Sequence, residues 1–136
     1  MASRNDVIAV AQTYLDGVMS GDGSGVLLAP DAWRVEQGMN SGVDAAEIRR
    51  SLDRMGGFGG MRDLRWFVDG DDAVAFYVLD VGPFTSFIVE RIHVVDSLIT
   101  EIEVVFHGRE GANLERWPVD RTQVWPKDAD GNYLIR

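Results

Sequence analysis

Residues 85–106, TSFIVERIHVVDSLITEIEVVF, hold two runs rich in β-branched and aromatic residues on either side of Asp96-Ser97, a pair suited to a tight turn. The pattern predicts a hairpin of two long antiparallel strands. Working outward, LRWFV (64–68) and AVAFYVLDV (73–81) repeat that composition, set apart by Asp69-Gly70-Asp71-Asp72 and Gly82-Pro83. Four successive strands in a meander are therefore expected.

Before residue 60 the period changes. Val7, Val10, Ala11, Tyr14, Leu15 and Val18 recur at helical spacing, with Asn5 or Asp6 as the expected cap and Gly21 and Gly23 as the stop. GSGVLLAPD (23–31) reads as a single helical turn, after which Pro30-Asp31 leads into a strand at 32–37. Asp44-Ala45-Ala46-Glu47 has capping-box spacing and opens a helix that runs to Gly56, burying Ile48, Leu52 and Met55. Helices followed by a meander argue for an α+β domain whose helices lie against one face of a curved antiparallel sheet. Residues 1–136 are expected to form one domain, with 108–136 a polar C-terminal extension marked by Trp117, Pro118, Trp125 and Pro126 and serving as a lid, a dimer arm or a strap.

The hairpin leaves two registers open, because a slip of one residue exchanges the two faces of a strand. With Asp96-Ser97 as a two-residue turn, Arg91 and His93 share a face with Ile102 and Val104. With Asp96-Ser97-Leu98 as a three-residue turn, Glu90 joins Ile88, Ile92 and Val94 on that face. Arg91 and His93 then point outward with Glu101 and Glu103. Apolar alternation favours the second register, and the look of VVDSLI favours the first.

Composition narrows the function. A net charge of −9 opposes phosphate backbones, so no nucleic-acid partner is expected. The chain has no cysteine, only His93 and His107, and no HxxxH or calcium-loop spacing, so neither a metal nor another cofactor is expected. The cluster Gly56-Gly57-Phe58-Gly59-Gly60 follows a helix rather than opening one, which is the wrong polarity for a phosphate loop. With no apolar run of membrane-spanning length and no secretory leader pattern, no membrane is expected and a cytoplasmic location is.

The order helix, Gly-Asp, short helix, strand, helix and four strands ending in D-x-x-I-x-x-I-E resembles the nuclear transport factor 2-like superfamily, in its ketosteroid isomerase and SnoaL-like branch, over roughly residues 5–107. TYLDGVMSGD (13–22) and LAPDAWRVEQ (28–37) carry the likeness most closely. It implies a cystatin-like α+β barrel with a cone-shaped cavity, Tyr14 at the position of an oxyanion-hole tyrosine, Glu36 at that of a general base, and a homodimer. In ketosteroid isomerases a protonated aspartic acid also donates to the oxyanion; here that position falls on Glu90 or Arg91, depending on the turn. The late-strand aspartate of epoxide-opening relatives is replaced by Ile102-Glu103-Val104-Val105, which disfavours that reaction.

Two functions follow. The first is a cofactor-free isomerase, cyclase or dehydratase (lyase) acting on a small apolar oxygenated molecule such as a polyketide or terpenoid. In it Glu36 abstracts a proton, while Tyr14, with Arg91 or His93, stabilises an enolate. Trp33, Trp66, Phe76, Val104 and Phe106 are the expected cavity walls, joined by Glu90 on the three-residue turn. The second is a non-catalytic ligand-binding or dimerisation module of the same fold, with Glu36 as an exposed strand charge or half of an ion pair with Arg34.

Overall fold

The computed structural model describes residues 2–58, 60–110 and 124–134. Helix α1 (Arg4–Ser20) begins at Ser3 rather than at Asn5 or Asp6. The Asp6 amide donates to Ser3 Oγ at 3.2 Å and the Ser3 amide donates to Asp6 Oδ2 at 3.0 Å, so Asp6 is the far half of a reciprocal cap. All six residues of the apolar stripe are buried, and Gly21, at φ +70°, ends the helix. Helix α2 (Ala45–Met55) follows the expectation closely: Asp44 Oδ1 accepts from the Glu47 amide at 2.8 Å, and Gly56 adopts φ +71°. Ile48 and Leu52 are buried, whereas Met55 is exposed.

The sheet contains six strands: β1 (Leu28–Glu36), β2 (Met39–Gly42), β3 (Gly60–Asp69), β4 (Asp72–Val81), β5 (Phe84–Val95) and β6 (Leu98–Glu110), in the order β2-β1-β6-β5-β4-β3. The expected meander is β3 to β6. Two further departures precede the meander. Residues 23–31 form no helical turn, because Leu28 already pairs with Ile99 and the Ile99 amide donates to the Leu27 carbonyl at 2.7 Å. Burial of Val26 and Leu28 on one side of exposed Leu27 is strand alternation, and Pro30 falls where the β1–β6 pairing is irregular. Strand β2 was not foreseen, since MNSG carries no apolar signal; it is created by Gln37-Gly38, whose φ values of +53° and +76° suit a two-residue hairpin.

The sheet is not wholly antiparallel, because β1 runs parallel to β6. Breaks in register occur between Arg34 and Val35, between Arg62 and Arg65, and opposite His93-Val94. Such bulges bend strands and tighten twist, curving the sheet around the helices. Gly42 is required where β2 meets α2: a Cβ there would stand 2.5 Å from Ile48 Cγ1.

The hairpin answers the register question in an unforeseen way. Val95 pairs with Leu98, so the turn has two residues, with Asp96 and Ser97 at φ +50° and +64°. Yet His93 pairs with Glu101 while Val94 pairs with Ile99, leaving Thr100 as an extra residue on β6. The bulge supplies the residue the turn lacks. Glu90 therefore pairs with Val104 and faces inward, as the three-residue turn required.

Of the C-terminal extension, Trp117 and Pro118 lie outside the described residues. Lys127 and Tyr133 form an isolated bridge, the Lys127 ammonium lies over the Tyr133 ring, and Trp125 Nε1 donates to the Leu134 carbonyl. No helix among the described residues is long and apolar enough to cross a membrane.

Candidate functional site

Four strands and α1 aim side chains into one cavity of about 210 Å³. Alternation along β1 turns Arg34 and Glu36 inward, β4 contributes Tyr77 and Leu79, and β5 contributes Ser86, Ile88 and Glu90. Val104 and Phe106 come from β6, and Tyr14 and Val18 from the buried stripe of α1. Met55 and Phe58, at and beyond the end of α2, complete the wall. The exposure of Met55 places it at the cavity rim rather than in the core.

Arg34 is the hub of the polar groups. The residue is 3% exposed, and all three guanidinium nitrogens donate within the protein. Nη1 donates to Tyr14 Oη at 3.1 Å, Nη2 donates to the Ser41 carbonyl at 2.9 Å and to Ser51 Oγ at 2.8 Å, and Nε donates to Ser41 Oγ at 2.9 Å. The same Nε stands 2.9 Å from Glu36 Oε1, forming an ion pair whose carboxylate is about one third exposed. Because the Tyr14 oxygen accepts from Arg34, the phenol proton is available to an acceptor on the cavity side.

Glu90 is 1% exposed and accepts a hydrogen bond from Tyr77 Oη at 3.1 Å. Burial pushes its carboxyl from the usual 4.5 up to about 8; the Tyr77 hydrogen bond and Arg34 oppose the rise, and the charge of Glu36 adds to it. At neutral pH Glu90 is a carboxylic acid with a proton to give. Burial likewise raises the Tyr14 phenol, with Glu90 adding and Arg34 opposing, and it raises the Tyr77 phenol. The cavity thus holds an arginine–carboxylate pair, one neutral acid, two protonated tyrosines and Ser86 within a mainly apolar wall.

The other residues singled out from the sequence are placed as follows. Tyr14, Glu36, Glu90, Val104 and Phe106 line the cavity together. Arg91 and His93 do not. Arg91 lies on the outer face, within 2.7 Å of Asp72, Glu101 and Glu103, and His93 Nδ1 is 2.9 Å from Asp72 Oδ1. The bulge at Thr100 is the cause, since it puts both on the side of Glu101 and Glu103. Trp33 alternates with Arg34, so a strand that brings Glu36 inward turns Trp33 away from the cavity. Phe76 also lies on the outer face, edge-on to Phe67 at 5.5 Å, with the Arg65 guanidinium 5.4 Å from its ring centre. Trp66 packs against the core without lining the cavity. Sequence reasoning did not single out Tyr77, Phe58 or the hub role of Arg34. Alternation contained the signal for two of them, because Arg34 must share the face of Glu36 and Tyr77 that of Ala75 and Leu79.

No group of three or more histidine or acidic side chains among the described residues is arranged to hold a metal ion. A family profile described as "Domain of unknown function (DUF8021)" matches residues 1–106. A search of curated proteins finds no match to the sequence. Among solved structures, a nuclear transport factor 2-like protein of unknown function from Burkholderia xenovorans LB400 superposes with a TM-score of 0.68 at 12% identity, over 79% of this chain and 88% of the other. A ketosteroid isomerase-like protein from Kribbella flavida DSM 17836 gives 0.66 at 18% identity, over 94% of both chains. An epoxide hydrolase of M. tuberculosis, described as LEH-like, gives 0.61 at 21% identity, over 76% of this chain and 84% of the other. At these identities the likeness is one of fold, that of the nuclear transport factor 2-like superfamily.

Proposed function

The chain belongs to the DUF8021 family, and from the chemistry of its cavity we propose that it is a cofactor-free acid–base enzyme acting through an enolate on a small oxygenated molecule. One observation carries the reading: two carboxyl groups line one cavity in opposite settings, Glu36 partly exposed and paired with Arg34, Glu90 fully buried and held as the acid by that burial. Environments that separate two acids in this way divide the roles of base and acid between them.

In the proposed reaction the Glu36 carboxylate takes a proton from the carbon beside a carbonyl, and negative charge builds on the carbonyl oxygen. Tyr14 and neutral Glu90 donate to that oxygen. Both remain protonated at neutral pH, and the apolar wall strengthens such donation by excluding water. Return of the proton to another carbon gives isomerisation, loss of a β-hydroxyl gives dehydration, and attack of the enolate on a second carbonyl gives cyclisation. Arg34 holds base and donor in one frame, through Glu36 on its own strand and Tyr14 on α1.

The test is deuterium incorporation beside the carbonyl of one- and two-ring ketones in D2O, followed by NMR. The wild-type protein should exchange faster than buffer, and Glu36→Gln should lose that excess while still binding the ketone. Equal exchange in the two proteins removes Glu36 from the chemistry. A second reading, ligand binding without turnover, draws support from the Arg34 contact that already occupies Glu36. It predicts ketone binding with no exchange in either protein. For assembly, the outer face carrying Arg91, Glu101, Glu103 and exposed Val105 is the surface on which we place a homodimer. Sedimentation of an Arg91→Glu variant as a monomer, with the wild type as a dimer, is the corresponding check.

A further inference from the structure

A buried arginine in a ligand cavity normally marks a site for an anion. Arg34 is arranged against that use. Four of its five N–H groups are engaged within the protein: the one on Nε is shared by Ser41 Oγ and Glu36, one on Nη1 serves Tyr14, and both on Nη2 serve Ser41 and Ser51. Its charge is matched by Glu36 on the same face of the same strand. The remaining polar wall consists of Glu90, Tyr77 and Ser86, none of which brings positive charge. A ligand carboxylate entering the cavity would meet the exposed side of Glu36 and would have to compete with it for the one positive charge, leaving two carboxylates, partly buried, to share a single arginine.

We infer that the Arg34–Glu36 pair is a specificity determinant that closes the cavity to anions and reserves it for uncharged oxygenated compounds of one or two rings. The size follows from the cavity. A dry void of about 150 Å³ accepts benzene, and about 210 Å³ leaves room for a second ring or a few substituents. The polarity follows from the donors: Tyr14 and neutral Glu90 offer protons to a carbonyl or hydroxyl oxygen, and Val18, Leu79, Ile88, Val104 and Phe106 offer nothing to a charged tail. The inference rests on the reading of this cavity as the substrate site, and it does not depend on the proton transfer assigned to Glu36.

The experiment compares two shape-matched probes, 2-tetralone and 1,2,3,4-tetrahydro-2-naphthoate, by NMR titration of wild type, Glu36→Gln and Glu36→Asp. Wild type should bind the ketone at least about tenfold more tightly than the carboxylate, a difference of about 1.4 kcal/mol. Glu36→Gln removes the charge that neutralises Arg34 and should raise carboxylate affinity about tenfold or more, with ketone affinity little changed. Glu36→Asp keeps the charge and should keep the exclusion. Equal binding of both probes by wild type overturns the inference, as does unchanged carboxylate affinity in Glu36→Gln or failure of both probes to bind. The wild-type comparison stands even if a variant does not fold. Deuterium exchange in the same samples separates the two readings. Selective ketone binding without exchange removes the acid–base reaction and leaves the selectivity, whereas exchange with equal probe binding does the reverse.

Discussion

Replacing Glu90 with glutamine tests the electrostatics of the cavity without any substrate. Glutamine has the shape of the protonated acid and can still accept the Tyr77 hydrogen bond, so at about pH 5 the variant should match wild type to within about 1 kcal/mol. In the unfolded chain Glu90 ionises near its usual 4.5, and in the folded protein only near 8. Between those values the native state binds more protons than the unfolded state, so wild-type stability falls as pH rises, by at most about 1.4 kcal/mol per pH unit. Above about pH 8 both states are ionised and the deficit becomes constant, at about 5 kcal/mol. Glu90 is fully buried, so solvent screening gives little relief. A deficit of that size is comparable to the whole stability of a marginal domain, about 5–15 kcal/mol. The measurement is urea unfolding followed by tryptophan fluorescence at about pH 5, 7 and 9, with the m-value checked for constancy. Wild type should lose several kcal/mol more than Glu90→Gln across that range. Parallel profiles for the two proteins would refute the reasoning, because Glu90 would then gain its charge at no cost to the fold.

Tyr14→Phe should leave Arg34 Nη1 without its 3.1 Å acceptor in a buried setting and lower stability by about 1–3 kcal/mol in urea unfolding. If the acid–base reading holds, the same variant should slow ketone exchange by about a hundredfold, as loss of one oxyanion donor does. Gly42→Ala places a methyl 2.5 Å from Ile48 Cγ1 and should cost about 1–3 kcal/mol, seen as a lower urea midpoint at unchanged m-value.

The parts of this fold that declare themselves in the sequence are those set by local rules. Asp44 and Gly56 bound α2 because a cap and a left-handed stop need particular side chains, and α1 buries every residue of its apolar stripe. Tyr14 and Glu36 reach one cavity because each follows the periodicity of its own element. The misses share a different origin. Strand β2 exists because a turn and a neighbouring strand hold four residues in place, which no apolar alternation within MNSG announces. Trp33 and Phe76 are expected as cavity walls because core and wall coincide in this fold, whereas alternation with Arg34 and Tyr77 excludes them from the cavity. Arg91 and His93 stay open in the sequence because turn length alone does not set register. The clue was the spacing of inward residues on β6, where Ile99 is followed by Ile102 and then Val104, a step of three before the step of two.

The extra residue at Thr100 works as a frame shift written in backbone. Without it, the same β5 sequence would present a guanidinium and an imidazole where the cavity now holds a carboxylic acid. A homologue whose hairpin is one residue shorter there would differ chemically even if every residue from 88 to 94 were identical. Comparisons within the family should therefore place the gap in this hairpin first and compare cavity residues only afterwards. A single-residue deletion beside this turn would exchange the β5 side chains that line the cavity.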